Sequence, residues 1–204
     1  MKIICIGRNY SAHSKELGNP VPTEPVFFCK PDSALLPKGM PFFIPDWTRE
    51  VHFEVELLIR IQRLGKNIEE KFASRYYSEI GLGIDFTARD VQEELKKKSL
   101  PWEKAKGFDG SAVVSETFLP MKNFPPGTGI EFRLDKNGST VQRGNSAEMS
   151  FSIDQLIAYT SQFMTLKIGD LLFTGTPSGV GPVAPGDKLE GWIGQTKLLD
   201  INIR

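Results

Sequence analysis

The chain has 204 residues, 40% of them hydrophobic, and its 25 lysines and arginines are balanced by 25 aspartates and glutamates. A chain without net charge has no general positive field for nucleic acid or an anionic membrane surface, so we expect neither as a partner. The two cysteines, Cys5 and Cys29, form no CxxC pair, which argues against a disulfide framework or a structural zinc site. The opening residues lack a signal-peptide pattern and no stretch is long enough to span a bilayer, so we expect a cytoplasmic protein with one domain over residues 1–204.

Short apolar runs separated by glycines and prolines run along the whole chain, which predicts a β-rich fold with a few helices. The predicted extended segments are 2–6, 26–30, 51–61, 80–84, 105–108, 111–114, the hairpin 130–134 with 140–142, and 171–173. The predicted helices are 68–77, 87–98 and 152–164, each from an amphipathic pattern or from its start and stop residues.

The strand predicted over residues 51–61 carries two glutamates on one face. Because side chains alternate along a strand, His52, Glu54 and Glu56 point to the same side. Two carboxylates at this spacing repel each other unless a cation lies between them. The uninterrupted apolar residues 57–59 favour a strand buried on both faces, where the pair would need a hard divalent cation. The strand alone leaves two interpretations open, a metal site and a charged outer face, and the role of His52 stays open with them.

A third acid follows the glycine-bearing strand predicted over residues 80–84. An unpaired buried carboxylate is costly, so Asp85 is the third candidate metal ligand. Three carboxylates suit Mg²⁺ or Mn²⁺ better than Zn²⁺, which prefers nitrogen and sulfur. The alternative is that Asp85 caps the following helix, although Thr87 with Asp90 already supplies a predicted N-cap there.

Four further residues have a chemical and an ordinary interpretation. His13 and Glu16 have the spacing of neighbours on a helix, which suits either a general base oriented by a carboxylate or a surface ion pair. Lys106, flanked by small residues, is either a substrate-facing ammonium or a solvated one. Thr176 lies in the glycine-rich turn 174–181, which either binds a substrate carboxylate through backbone N–H groups or is only a turn.

Six motifs follow one another along nearly the whole chain. They begin at Gly7-Arg8-Asn9-Tyr10, Glu24-Pro25, His52-Phe53-Glu54, Asp85-Phe86-Thr87, Leu100-Pro101-Trp102 and Thr174-Gly175-Thr176. In this combination and order they resemble the fumarylacetoacetate hydrolase family in its short single-domain form, and most closely its acylpyruvase and oxaloacetate decarboxylase members. Phe53 and Val113 stand where the family pattern suggests a histidine and a proline, which affects the shape of the pocket.

The resemblance implies an α+β, mainly β fold of the fumarylacetoacetase C-terminal domain type, with a mixed β-roll or sandwich core, a few peripheral helices and association as a homodimer. It implies Mg²⁺ or Mn²⁺ on Glu54, Glu56 and Asp85. It also implies that residues 8–25 form a mobile lid.

The same resemblance assigns roles to the remaining candidates. It implies that His13 and Glu16 on the lid activate a water molecule, and that Lys106 is a catalytic residue at the substrate oxygens. The residues that it implies as substrate contacts are Arg8, Arg89, Gln92 and Thr176.

The activity that the resemblance implies is hydrolysis of a C–C bond in a 2,4-dioxo acid, an acylpyruvate, to pyruvate and a carboxylic acid. Oxaloacetate decarboxylation or keto–enol tautomerisation at the same site is the nearest alternative, because each passes through an enolate of a 2-oxo acid. Isomerisation of a 2-hydroxy-dienoate is a further enzyme alternative. The alternative from a different class is a non-catalytic β module that binds Ca²⁺, which takes more oxygen ligands at longer distances than Mg²⁺.

Overall fold

The computed structural model describes residues 1–11, 22–125 and 127–204. Their strands are β1 (Ile3–Gly7), β2 (Val26–Lys30), β3 (Val51–Phe53), β4 (Val55–Arg60), β5 (Glu79–Asp85), β6 (Thr87–Ala88), β7 (Ala112–Val114), β8 (Leu119–Pro120), β9 (Glu131–Lys136), β10 (Ser139–Asn145), β11 (Leu171–Phe173), β12 (Gly181–Pro182), β13 (Lys188–Ile193) and β14 (Thr196–Asn202). The α-helices described in full are α1 (Glu70–Ala73), α2 (Arg89–Lys97), α3 (Glu103–Lys106) and α4 (Ile153–Phe163). Short 3₁₀ turns lie at Asp32–Ala34, Ser74–Tyr76, Met121–Asn123 and Ser146–Glu148.

Three sheets organise these strands. The largest has seven strands in the order β2-β1-β11-β4-β5-β7, with β8 also paired to β5. Its β1 and β11 run parallel while its other pairs are antiparallel, so the sheet is mixed. A four-stranded sheet has the order β10-β9-β13-β14, and a three-stranded sheet has the order β12-β3-β6. The predicted α+β, mainly β fold with a mixed core is confirmed.

Both faces of the central strands of the seven-stranded sheet are buried, as the apolar residues 57–59 predicted for the strand that carries them. Leu57 belongs to the main core cluster, which includes Leu189 of the four-stranded sheet. Leu58 points to the opposite face and packs in a second cluster with Phe173. The glycines of β5 allow a close approach to this strand, because a Cβ at Gly83 would come within 2.5 Å of the Phe173 ring. Strands that are buried on both faces show no alternation of polar and apolar residues.

The strand predicted over residues 51–61 is divided at Glu54. β3 pairs with β6 and β12 in the three-stranded sheet, whereas β4 pairs with β5 and β11 in the seven-stranded sheet. The prediction of one continuous strand was therefore wrong, since the chain changes sheets at this residue. The backbone N–H of Asp85 donates to the carbonyl of Glu54 at 2.8 Å, which holds these two residues side by side where the sheets meet.

Two local predictions near the site were wrong. Thr87 lies in β6 and does not cap α2, whose N-cap residue is Ala88 and has no side-chain hydrogen bond. Its hydroxyl instead accepts a hydrogen bond from Lys106 Nζ at 2.6 Å. The segment predicted as extended over residues 105–108 overlaps α3, a single helical turn in which the Lys106 N–H donates to the carbonyl of Trp102 at 3.0 Å.

The helix predictions are confirmed to different extents. The segment predicted over residues 68–77 contains only α1 and a 3₁₀ turn. The segment 152–164 agrees with α4, which begins with a capping box between Ser152 and Gln155. No helix in the described part of the chain is long and apolar enough to cross a bilayer.

Candidate active site

The structure brings the three predicted acids together. β4 and β5 are antiparallel with Glu56 opposite Gly83, so the end of β5, where Asp85 lies, meets the start of β4, which Glu54 precedes. One carboxylate oxygen from each acid lies within 4.8 Å of the others. The three residues are 5%, 2% and 1% exposed for Glu54, Glu56 and Asp85, so their charges face each other away from bulk water. We call Glu54, Glu56 and Asp85 the carboxylate triad.

Lys106 places an ammonium group between two members of the triad. Its Nζ donates to Glu54 Oε2 at 2.8 Å and to Asp85 Oδ2 at 2.7 Å. Burial alone would lower the pKa of Lys106, but the carboxylates of Asp85 and Glu54 outweigh it and raise that pKa above its ordinary value. Lys106 is therefore a permanent cation at the floor of the site, rather than the solvated surface lysine that was the alternative.

Sequence reasoning assigned no role to a second buried lysine below the triad. Lys30, the last residue of β2, has its Nζ 2.6 Å from Asp85 Oδ1. The same ammonium donates to the carbonyl and hydroxyl oxygens of Ser111 at 3.1 and 3.0 Å and to the Lys106 carbonyl. Lys30 thus fixes Asp85 and the main chain of Lys106 relative to each other. Its place at the end of an apolar strand was the available signal, since a lysine there must find a buried partner.

Glu56 is held by the glycine-rich turn. Its Oε2 accepts a hydrogen bond from the Gly175 N–H at 2.7 Å. Gly175 has φ 102°, and a Cβ there would come within 2.7 Å of Asn9 Cβ, so only glycine suits the position. Burial and the nearby charges of Asp85 and Glu54 raise the pKa of the Glu56 carboxyl group, while the Gly175 hydrogen bond and Lys106 oppose that rise. The cluster is therefore short of positive charge at Glu56.

Thr176, the next residue of the turn, is anchored by a glutamine that sequence reasoning missed. Gln142 donates from Nε2 to Thr176 Oγ1 at 2.9 Å, and its Oε1 accepts from the Val55 N–H at 2.9 Å. Because the Thr176 hydroxyl already accepts this bond, its own proton is available for a group in the pocket. A polar residue on a strand whose partner is a distant turn gives no local sequence signal.

Arg89 connects α2 to the triad. Its Nη2 donates to Glu54 Oε1 at 2.6 Å and its Nη1 to Gln92 Oε1 at 2.6 Å. Its Nε lies 3.4 Å from His52 Nδ1, and His52 Nε2 is hydrogen-bonded to Glu50 at 2.7 Å. Among the described contacts, Arg89 connects His52 to the triad, which gives this histidine a supporting position rather than a place among the acids.

A pocket opens over the triad and contains most of the predicted site residues. The described residues that line it include Arg8, Phe28, Glu54, Glu56, Asp85, Arg89, Gln92, Lys96, Trp102, Lys106 and Thr176. Lys96 was not singled out from the sequence. His13 and Glu16 lie in the segment 12–21, outside the described residues, and so does most of the predicted lid over residues 8–25.

The triad has the chemistry of a site for a hard divalent cation. Its donors are all carboxylate oxygens, which suit Mg²⁺ or Mn²⁺. Both carboxylate oxygens of Asp85 are paired with lysines, whereas the buried carboxylate of Glu56 receives, among the described residues, only the Gly175 N–H hydrogen bond at Oε2. A buried carboxylate of this kind is costly without a cation. The residues present therefore fit such an ion.

A buried carboxylate triad with a central lysine, carried on a mixed β fold, is the framework of an enzyme. The family model described as fumarylacetoacetate (FAA) hydrolase C-terminal matches residues 2–202. The chain belongs to this family of enzymes, as its six motifs predicted.

Curated relatives and solved structures match along almost the whole chain. The mitochondrial oxaloacetate tautomerase FAHD1 of Mus musculus is 44% identical over 191 residues, covering 94% of this chain and 86% of the relative. The oxaloacetate tautomerase YcgM of Escherichia coli is also 44% identical, with 92% and 86% covered. The mitochondrial oxaloacetate decarboxylase of Dictyostelium discoideum is 45% identical, with 93% and 87% covered. A crystal structure of fumarylpyruvate hydrolase from Pseudomonas aeruginosa, in complex with Mn²⁺ and pyruvate, superposes with a TM-score of 0.91 at 32% identity, covering 100% of this chain and 89% of that one.

Proposed function

We propose that this protein is an oxaloacetate tautomerase, which interconverts the enol and keto forms of oxaloacetate at the carboxylate triad. The observation that carries the proposal is the similarity to two oxaloacetate tautomerases, each 44% identical over nearly the whole chain. The hydrolysis of acylpyruvates, which was the first expectation from the sequence, has weaker support, because the hydrolase structure is 32% identical. The oxaloacetate alternative is therefore the better supported of the two.

The reaction is a proton transfer that leaves the molecular formula of the substrate unchanged. From enol to keto, C3 gains a proton and the C2 hydroxyl group loses one, and negative charge develops on the C2 oxygen between these events. The ammonium of Lys106, kept charged by Glu54 and Asp85, supplies fixed positive charge at the floor of the pocket where that oxygen would lie. In many enzymes, fixed charge aimed at a developing oxyanion makes the largest contribution to the rate enhancement.

The triad and its supports would bind the cofactor and orient the substrate. Glu54, Glu56 and Asp85 would hold Mg²⁺ or Mn²⁺, which supplies a Lewis acid that polarises the 2-oxo group. Arg89 fixes the orientation of the Glu54 carboxylate through its 2.6 Å hydrogen bond. The free proton of the Thr176 hydroxyl is suited to donate to a substrate carboxylate in the pocket.

His13 and Glu16 remain the proposed proton carriers at C3. A histidine oriented by a carboxylate titrates near neutral pH, which suits a group that must both give and take a proton. In tautomerisation no water attacks the substrate, so this pair would move a proton rather than activate a nucleophile. The homodimer, the cytoplasmic location and the lid over residues 8–25 also stay predictions.

Oxaloacetate decarboxylation is the second candidate, and the 45% identity to the Dictyostelium discoideum enzyme favours it. In that reaction the C3–C4 bond breaks, CO₂ leaves, and the remaining pyruvate enolate takes a proton at C3. The same ammonium and triad would stabilise that enolate. The two candidates therefore differ in which bond at C3 breaks, and not in the residues that stabilise charge.

A substrate panel tests the proposal. Purified protein with Mn²⁺ or Mg²⁺ is given enol-oxaloacetate, keto-oxaloacetate, acetylpyruvate and fumarylpyruvate, and each product is followed by absorbance and NMR. We expect enol loss to be accelerated far more than pyruvate formation from any of these compounds, because the site needs only to move a proton. Chelator should abolish the acceleration, since the triad without its cation lacks the Lewis acid.

The same panel contains the results that would overturn the proposal. Faster release of pyruvate from acetylpyruvate or fumarylpyruvate than loss of the enol would favour a hydrolase. Release of CO₂ at the rate of enol loss would favour the decarboxylase. Turnover of none of the four compounds would favour the non-catalytic binding module.

A further inference from the structure

Helix α2 presents three polar residues to the pocket. Arg89, Gln92 and Lys96 are separated by three and then four positions, so they follow one face of the helix. Lys96 is half-buried and lines the pocket, whereas the two following residues, Lys97 and Lys98, are exposed. A lysine run at the end of a helix is ordinarily a solvated surface that complements the helix dipole. In this helix only the first member of the run faces the site.

Among the described residues, Lys96 differs from Lys106 and Arg89 in forming no ion pair with the triad. Lys106 and Arg89 both form ion pairs with the triad. Within the described residues, no carboxylate lies within ion-pair distance of Lys96 Nζ, which lies over the Trp102 ring, 6.0 Å from its centroid. Burial and the nearby positive charges of Arg89 and Arg8 lower the pKa of Lys96. An ammonium group that has no ion pair among the described residues and lies near other cations is suited to bind an anion.

Arg8 supports the same conclusion from another part of the chain. It follows the end of β1, lines the same pocket, and has φ 61°, a left-handed conformation that non-glycine residues rarely adopt. Such backbone conformations persist where the surrounding structure holds them, often at binding sites. The described site thus has five cationic side chains, Arg8, Lys30, Arg89, Lys96 and Lys106, against the three carboxylates of the triad.

We propose that Lys96, assisted by Arg8, binds the C4 carboxylate of the substrate and so makes the site selective for 2-oxo acids that carry a second carboxylate. The proposal rests on the proposed function for the identity of the substrate. Lys106, Thr176 and the triad serve the C1 and C2 end of the molecule, which leaves the C4 carboxylate as the group without a partner. Lys96 and Arg8 are the lining cations whose charge is not already paired with the triad.

Removing the charge of Lys96 should change the discrimination between substrates. For Lys96→Gln we expect kcat/KM for oxaloacetate to fall by about 10- to 100-fold, the range for a lost charge-assisted hydrogen bond, mostly through KM. The 4-ethyl ester of oxaloacetate lacks the C4 charge, so Lys96→Gln and wild type should turn it over with the same kcat/KM. Lys96→Arg should restore most of the activity on oxaloacetate. Lys97→Gln is the matched control, because Lys97 is one position further along the same helix and exposed. This variant should have the wild-type kcat/KM for both substrates.

Binding separates a failure of this inference from a failure of the proposed function. Malate and lactate are stable 2-hydroxy acids that differ in the distal carboxylate, so titration calorimetry with Mn²⁺ present measures the contribution of that group without turnover. We expect Lys96→Gln to weaken malate binding and to leave lactate binding unchanged. Equal losses for both acids, or no loss for malate, would overturn the role of Lys96. A third outcome separates the two proposals: wild type does not turn over oxaloacetate but binds malate, and Lys96→Gln binds malate more weakly. That outcome would overturn the tautomerase proposal and support the distal-carboxylate site.

Discussion

Replacing Glu54 by glutamine is expected to abolish turnover and weaken the binding of Mn²⁺. The substitution keeps the shape of the side chain but removes one of three carboxylate charges, together with its ion pairs to Arg89 and Lys106. Loss of a partner outside the ligand shell typically costs ~10–100-fold in metal affinity, so we expect loss of a direct ligand to cost more. Titration calorimetry measures the affinity, and loss of the enol absorbance measures turnover.

Glu79→Gln is the matched control for this experiment. Glu79 begins β5, whose other end carries Asp85, and it is only partly buried and outside the pocket. We expect wild-type Mn²⁺ affinity and wild-type turnover in this variant. If Glu54→Gln binds Mn²⁺ as tightly as the control, Glu54 is not a metal ligand. That result would contradict a metal site formed by the three carboxylates of the triad.

Lys106→Met is expected to separate metal binding from catalysis. Lys106 contributes charge but no ligand oxygen, and its ammonium repels a cation bound to the same carboxylates, so Mn²⁺ affinity should be maintained or increased. Turnover should fall by about 10²–10³-fold, the typical cost of losing one group that stabilises an oxyanion. Without metal, Glu54 and Asp85 each lose one cationic partner and keep another, Arg89 and Lys30 respectively. The free energy of unfolding should therefore fall by less than the roughly 3–5 kcal/mol that a buried charge left without any partner costs. Saturating Mn²⁺ should recover part of that stability.

The exposed neighbour Lys104 supplies the control for the Lys106 experiment. It belongs to the same helical turn, α3, but is exposed to solvent. Lys104→Met should leave turnover, Mn²⁺ affinity and the free energy of unfolding near wild-type values. If Lys106→Met keeps its turnover, the ammonium at the floor of the pocket has no part in the reaction. Urea unfolding with and without Mn²⁺ provides the stability measurements.

The acids of the site were predictable from local patterns. Glu54 and Glu56 share a face because side chains alternate in an extended chain, and Asp85 ends a strand whose glycines indicate close packing. Neither argument needs the rest of the molecule. The antiparallel pairing of β4 and β5 then brings all three together, and the family resemblance supplied the expectation that they would meet.

The division of the predicted strand at Glu54 was not predictable in the same way. Residues 51–61 contain no glycine or proline to mark a break, and both halves are extended. What divides them is the choice of pairing partners, β6 and β12 on one side and β5 and β11 on the other. Partner choice depends on contacts that are distant in sequence, which local preference does not report.

Side chains with distant partners account for the remaining errors. Thr87 has the sequence context of an N-cap, but its hydroxyl accepts a hydrogen bond from Lys106, which is 19 residues away. Lys30 ends an apolar strand, and the partners that make it part of the site, Asp85 and Ser111, lie far along the chain. Lys96 was hidden in a run of three lysines, although its spacing from Arg89 placed it on the pocket side of the helix.

Exchange of the C3 hydrogens of oxaloacetate with solvent tests the central claim most directly. Metal-loaded wild type and Glu54→Gln are followed by proton NMR in deuterated water, with chelator-treated enzyme as the blank. The account predicts that wild type accelerates loss of the C3 signal well above the spontaneous rate while pyruvate does not accumulate, and that Glu54→Gln and the blank show only spontaneous exchange. Exchange by wild type at the spontaneous rate, or exchange that always accompanies pyruvate formation, would contradict it.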